Sequence, residues 1–322
     1  LDTGDLRKFA NAKNCLEQAQ YIYKELNSSP GKKASIKDID ACMEALLLYV
    51  AGQSQRALYI TGIGYRGNGD YNSVLEKFKA AILILKKIGE RFYEGRILME
   101  IGKVYSDEFK NYSESERYYR EALAVFRELG NKFHHEGLVL CEIGQLYSSM
   151  GDYEEALKVY NKAIQIYIEH NSMKDQGEVL VEIGKVNSKQ GDYTKAIDNL
   201  KGALEIFEGI KASADSQSLA GTYLSNVYRL LGDDEKAKES IVKVADSLWK
   251  QGMEAYNTQM SSYFHTPEPG QRVVQQEDDF LSIMEKFNRS LAIYRKERDR
   301  QSEADLLTWL TRVCVETGKY AD

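Results

Sequence analysis

The 322 residues are 43% hydrophobic, 29% charged and 11% aromatic, a balance that supports a packed core and excludes a disordered chain. With 43 basic against 49 acidic side chains the net charge is -6, so there is no overall positive field to attract nucleic acid. The longest uncharged stretches, Ala45 to Gln55, Ser216 to Tyr228 and Ala255 to Pro267, run 11 to 13 residues, short of the roughly 20 that a membrane-spanning helix needs.

Cys15, Cys42, Cys141 and Cys314 stand far apart with no C-x-x-C, which argues against a disulfide framework or a zinc site and for a reducing, cytoplasmic setting. The chain begins at Leu1, carries no signal or lipidation motif, and reads as a piece of something longer. The only prolines are Pro30, Pro267 and Pro269, and between them Ala, Leu, Glu, Lys and Tyr recur at helical spacing. The expected fold is all-α.

A period of about 41 residues organises the chain. Gly69-Asp70-Tyr71, Lys110-Asn111-Tyr112, Gly151-Asp152-Tyr153, Gly191-Asp192-Tyr193 and Gly232-Asp233-Asp234 follow one another at intervals of 41, 41, 40 and 41. Small residues keep the same step nine residues earlier, at Gly62, Gly102, Gly144, Gly184 and Ser225, with one extra residue after Gly102. Downstream they recur at Ala81, Ala122, Ala163, Ala203 and Val244. Each unit therefore reads as a helix A, a turn and a helix B.

In chain order, Phe9, Ala12, Leu16, Ala19 and Tyr23 mark a helix B over 1–27, and 28–48 reads as a loop with an inserted helical segment. The regular array fills 49–249. Within it, helix A from Phe133 to Met150 stops at Gly151, Asp152 caps the next helix, and Tyr153, Ala156, Tyr160, Ala163 and Tyr167 share one face. Residues 250–277 read as an irregular helix A followed by an exposed loop over His265 to Glu277. The pattern returns over 278–322, with a helix B around Phe280 to Tyr294 and a helix A over Gln301 to Thr317.

Motifs for chemistry are weak. Gly62-Ile63-Gly64-Tyr65-Arg66-Gly67 matches a phosphate-binding loop by letter but lacks the preceding strand. The adjacent His134 and His135 point about 100 degrees apart on a helix and read as surface residues. No nucleophile elbow, Walker loop or H-E-x-x-H occurs. The expectation is a protein that is not an enzyme and holds neither cofactor nor metal.

Gly144, Tyr147, Gly151 to Tyr153, Ala156, Tyr160 and Ala163 together resemble the signature of tetratricopeptide (TPR) repeats. Glu94-Gly95 with Gly102 and Tyr105, and Glu136-Gly137 with Gly144 and Tyr147, resemble the longer variants of about 40 residues. The resemblance implies a right-handed superhelix, an α-solenoid whose A helices line a concave groove. By position that groove would carry Tyr59, Ile63 and Arg66; Arg96, Met99, Glu100 and Lys103; Cys141, Glu142 and Gln145; Val181, Glu182 and Lys185; and Tyr223, Asn226 and Arg229. Where long-repeat relatives often have Asn, this sequence has Glu100, Glu142 and Glu182, and the residues of the family's carboxylate clamp are not reproduced.

The resemblance implies a protein-protein interaction scaffold that binds a peptide or partner segment in the groove. A sensor or regulatory region of a larger enzyme or signalling protein, and a receptor for a short signalling peptide, are the alternatives. Nucleic acid and membrane insertion are not expected, and self-association stays open. One reading makes the three glutamates a ladder gripping the partner, with Tyr59 and Tyr223 toward its ends. The other pairs Glu100 with Lys103 and Glu182 with Lys185 as i,i+3 contacts on a solvated face.

Overall fold

A computed structural model describes residues 71–130, 133–210, 214–265 and 273–317, with residues 41, 44, 45, 47–49, 51–53 and 56 of a preceding helical stretch. The helix B expected over 1–27, the glycines at Gly62, Gly64 and Gly67, and the groove candidates Tyr59, Ile63 and Arg66 lie outside the described residues. No strand occurs among the described residues. The helices are α1 (Tyr71–Ile88), α2 (Arg91–Asp107), α3 (Tyr112–Glu128), α4 (Phe133–Met150), α5 (Tyr153–Glu169), α6 (Met173–Gln190), α7 (Tyr193–Gly209), α8 (Ala214–Leu230), α9 (Asp234–His265), α10 (Val273–Glu297) and α11 (Arg300–Thr317). They belong to two units, Leu1–Ile166 and Tyr167–Asp322.

The turns from A to B follow from a few residues. Gly151, Gly191 and Gly232 hold φ of 82°, 86° and 75°, a left-handed conformation that glycine adopts without strain. After each, an aspartate N–H reaches back five residues to a carbonyl, Asp152 to Tyr147, Asp192 to Asn187 and Asp233 to Tyr228, all at 2.9 Å. The aspartate carboxylate then accepts the free N–H of Glu155 at 3.3 Å, Lys195 at 3.2 Å or Lys236 at 3.1 Å, closing the first turn of helix B. Between α2 and α3 the turn is one residue longer: the Asn111 N–H reaches the Tyr105 carbonyl at 2.9 Å, and Lys110 takes the left-handed place.

A second series joins B to the next A. Gly89, Gly130 and Asn171, 41 residues apart, hold φ of 77°, 64° and 53°, and Arg298 does the same before α11. Polar side chains then tie the start of each helix A to the end of the preceding B. Glu94 contacts Lys86 at 3.5 Å, Glu136 contacts Arg127 at 2.7 Å, and Glu303 contacts Arg295 at 2.9 Å. In the same role the Gln176 amide donates to the Tyr167 carbonyl at 3.0 Å.

Packing between A and B depends on close approach. In the first unit α1 packs on α2, α2 on α3 and α3 on α4. A Cβ on Gly95 would lie 2.8 Å from the Phe126 ring, and one on Gly102 would lie 2.5 Å from the Tyr119 ring. The two glycines are seven residues apart on α2, and their rings are seven apart in reverse order on α3, as antiparallel helices require. Gly144 meets Tyr160 at 2.8 Å in the same way. The second unit runs α6 on α7, α7 on α8, α8 on α9, α9 on α10 and α10 on α11. There Gly177 meets Phe207 at 2.5 Å and Gly184 meets Leu200 at 2.7 Å. Ser225 stands where glycine is expected; it is buried, and its hydroxyl donates to the Ala237 carbonyl at 2.7 Å.

Two expectations are corrected here. The glycine opposite Phe78 is Gly52, whose Cβ would lie 2.5 Å from that ring. Phe78 follows Tyr71 by seven residues, as Tyr119 follows Tyr112, so Gly52 rather than Gly62 is the crossing glycine of this unit. Tyr71 follows Gly52 by nineteen residues where Tyr153 follows Gly144 by nine, so the step slips by ten. The second correction concerns 250–277. α9 continues as one helix of 32 residues to His265, and α10 already begins at Val273. After Gly252 come Met253, Glu254 and Ala255, none of which caps a new helix well, so the helix runs on. Gly252 instead faces the Phe287 ring at 2.5 Å. Residues 266–272 of the expected loop lie outside the described residues.

Two outcomes test these contacts. Gly102→Ala should lose about 1 to 3 kcal/mol in urea denaturation, because the buried Tyr119 ring has no room to yield. Gly202→Ala should gain about 0.5 to 1 kcal/mol, since its Cβ meets only Leu180, at 3.7 Å. The aspartate caps predict a pH dependence. The Lys195 and Lys236 ammonium groups, with the capped N–H groups, hold the carboxyls of Asp192 and Asp233 below the usual range. Their stabilisation is therefore present above the unfolded pKa of about 4 and lost as pH falls through the folded value. Asp192→Asn with Asp233→Asn should flatten the decline in melting temperature between about pH 5 and pH 3.

Candidate functional site

Successive A helices are neighbours within each unit: α2 meets α4, and α6 meets α8. Their polar residues at i, i+3, i+4 and i+7 fall on one face. In the first unit this face carries Arg96, Glu100 and Lys103 on α2, and Cys141, Glu142 and Gln145 on α4. With Gly52 as the crossing residue, the preceding helix contributes Tyr49, Gln53 and Arg56 at the places expected of Tyr59, Ile63 and Arg66.

The charges form links between helices rather than pairs within them. Arg56 is 9% exposed, and its two terminal nitrogens donate to Glu100 at 3.3 Å and Asp107 at 2.8 Å. Its Nε lies 4.0 Å from a Glu108 oxygen and makes no hydrogen bond. Lys103 meets Glu142 of α4 at 2.8 Å, which corrects the expected i,i+3 pair with Glu100. The Tyr119 hydroxyl donates to Glu142 at 3.4 Å.

Burial shifts the balance of these groups. It raises the Glu142 carboxyl above the usual range, outweighing the pull of Lys103. Burial also works hardest on Lys103, lowering it, but the carboxylates of Glu142 and Glu100 together outweigh it and hold the ammonium above its normal value. Desolvation, with the Glu142 charge behind it, keeps the Tyr119 hydroxyl protonated. The face is thus a set of half-buried charges already engaged with one another.

The second unit keeps the simpler pattern. Glu182 and Lys185 pair at 2.6 Å as i,i+3 neighbours, and the Lys185 ammonium also sits 4.4 Å above the Tyr223 ring. Tyr223 therefore packs against a cation of the neighbouring helix. Val181 is buried and forms floor rather than surface. Asn226 is exposed, and Arg229 contacts Glu297 of α10 at 2.7 Å. In the first unit Met99 is likewise buried, while Gln145 is exposed.

Arg56, Asp107 and Tyr49 were missed in the sequence, because the slip before Tyr71 takes Arg56 off the 41-residue step. His135 is half-buried rather than freely exposed: its ring lies 4.8 Å from that of Phe92 and 5.1 Å from that of Phe126, at the edge of an aromatic cluster. No group of three or more His, Cys, Asp or Glu that could hold a metal ion occurs among the described residues. None of the described helices is long and apolar enough to cross a membrane.

Two family models match the chain: Tetratricopeptide repeat over residues 93–169 and Soluble NSF attachment protein, SNAP, over residues 134–266. No curated protein matches the sequence. Among solved structures, BtubC (BKLC) from P. vanneervenii is similar at 14% identity and a TM-score of 0.56, over 84% of this chain and 97% of that one. Aspartyl phosphate phosphatase F from Bacillus subtilis is similar at 17% identity and a TM-score of 0.58, over 86% of this chain and 72% of that one. The Rap conjugation gene regulator of the plasmid pLS20, in complex with the Phr* peptide, is similar at 15% identity and a TM-score of 0.51, over 89% and 81%. These likenesses are of fold, and they agree with the repeated helix pairs, the crossing glycines and the capped turns described above: residues 93–169 match the tetratricopeptide repeat, and the chain shares the paired-helix fold of such repeats.

Proposed function

We propose that the chain is a non-catalytic protein-binding module that receives an extended segment of another polypeptide on the polar faces of its A helices. The observation that carries this is the recurrence of half-exposed polar side chains at equivalent places on α2 and α4 in one unit and on α6 and α8 in the other, each helix held against its B helix by close packing at a glycine or serine. Side chains at a regular step match the repeat of an extended backbone and supply hydrogen bonds without chemistry. The repeat family matched over 93–169 supports the reading, and so does the fold shared with the pLS20 regulator, whose structure holds a peptide. A finer form, a sensor or regulatory part of a larger protein or a receptor for a short signalling peptide, belongs to the same proposal.

Site-specific photo-cross-linking locates the face. A cross-linking residue at Gln145 or Asn226, both exposed on A helices, should capture the partner, whereas one at Lys158 or Lys243, exposed on B helices, should not. Capture from the B positions alone would move the site to the opposite face. Stability separates the glutamates. Glu142→Ala, which leaves Lys103 half-buried without its partner, should cost about 1 to 3 kcal/mol in urea denaturation. Glu182→Ala, which breaks an i,i+3 pair, should cost only a few tenths of a kcal/mol, about the value of such pairs.

A further inference from the structure

The helix α11 carries the register of a helix A. Glu303 stands where Glu94 and Glu136 stand and ties α11 to the helix before it in the same way. Counting on from there, Ala304 falls at the place of Gly95, Gly137 and Gly177, and Thr311 at that of Gly102, Gly144 and Gly184. All six glycines are buried, and five of them lie directly under a ring or a leucine of a helix B. Ala304 and Thr311 are exposed. Between them Leu307 is 38% exposed, although Leu98 and Leu140 at the same place are 3% and 4% exposed. With Leu306, Trp309 and Leu310, α11 packs into the core it shares with α9 and α10, so it is the face a helix B covers elsewhere that stands open among the described residues.

The helices that cover such a face share one pattern, a large side chain every seven residues with a small one three residues after it. On α5 these are Tyr153, Tyr160 and Tyr167 with Ala156 and Ala163; on α7 they are Tyr193, Leu200 and Phe207 with Ala196 and Ala203. Residues 1–27, which lie outside the described residues, repeat that pattern in sequence with Phe9, Leu16 and Tyr23 and with Ala12 and Ala19. In the antiparallel register of Gly144 with Tyr160, Leu16 comes opposite Thr311 and Tyr23 opposite Ala304. The larger of the two small residues thus meets the smaller of the two large ones, which keeps the summed volume near that of the other crossings. We propose that the face of Ala304, Leu307 and Thr311 is an interface for a second copy of this chain, whose residues 1–27 lie on it as a helix B and complete a repeat across the junction. The contact joins unlike surfaces, head to tail, so it adds copies in one direction rather than stopping at a symmetric dimer. It buries the apolar surface of Leu307 and leaves the polar faces of α2, α4, α6 and α8 to another polypeptide.

The test follows the mass of the 322-residue chain by sedimentation equilibrium, which should rise with concentration beyond one copy. Leu307→Asp should weaken the association about tenfold or more, because the contact would bury a carboxylate, at an unchanged melting temperature, because the side chain is exposed in the single copy. Leu16→Asp should weaken it as much. Mixed together, the two variants hold one sound surface each and should form a 1:1 pair that grows no further. Independently of how Leu16→Asp folds, a photo-cross-linking residue in place of Leu307 should link to residues 1–27 of another copy, read by mass spectrometry on a mixture of isotope-labelled and unlabelled chain. A mass of one copy at every concentration, links formed only within one copy, or association left intact by Leu307→Asp would overturn the proposal. Association lost in Leu307→Asp but untouched by Leu16→Asp, with links from position 307 to α11, would assign a like-with-like contact of two α11 faces and overturn the role of residues 1–27. The cross-links at Gln145 and Asn226 judge the groove reading separately.

Discussion

Everything else in the fold depends on how closely a ring can approach a helix backbone. Tyr119 lies against Gly102, Tyr160 against Gly144 and Phe207 against Gly177, at distances that exclude even a methyl group. A large aromatic buried in this way removes much apolar surface from water. The same contact sets how far along its axis one helix sits against the other. The ring works as both adhesive and gauge. Because the gauge recurs at nearly the same step, the polar residues opposite it are carried to equivalent places from one helix pair to the next.

The charged face shows what that regularity leaves undecided. Lys103 could have paired with Glu100 on its own helix but reaches Glu142 on the next, and Glu100 turns to Arg56. A half-buried ion pair across helices carries a desolvation penalty close to its Coulombic gain, and the raised Glu142 carboxyl is the visible part of that penalty. Such pairs are better understood as setting which helix neighbours which than as large sources of stability. They also decide which polar groups of the face are already engaged and which, such as Gln145, stay exposed.

The period, the aspartate caps and the small residues Ala81, Ala122, Ala163 and Ala203, all fully buried, were legible because they are local or repeat faithfully: Asp152, Asp192 and Asp233 each act within one turn of helix. The left-handed B-to-A turns were available in Gly89, Gly130 and Asn171 but were not read, since Asn breaks the glycine pattern while serving the same backbone. Gly52 and Arg56 were illegible for another reason. Ten more residues lie between them and Tyr71 than the later repeats have at that place, and only a contact in space, Gly52 against Phe78, restores their register. His135 fell among Phe92 and Phe126 because it lies near the start of α4, where the ends of three helices converge. At the candidate site the positions on α2, α4, α6 and α8 were readable from spacing, whereas their partners were not, because pairing between helices is a choice among several nearby charges.

The long helix α9 changes how its unit must come apart. In a stack whose helix pairs are joined by loops, each junction is a place where opening can halt, and end pairs fray alone. α9 extends about 48 Å, serving one pair through its first half, where Val244 packs against Gly221, and the next through Gly252 and Phe287. No hinge separates the two halves. Detaching α10 and α11 would strip the rings of Phe287 and Trp309 from the surface of a helix whose other end is still held. Such a shared element joins what would otherwise be two small cooperative units into one larger one.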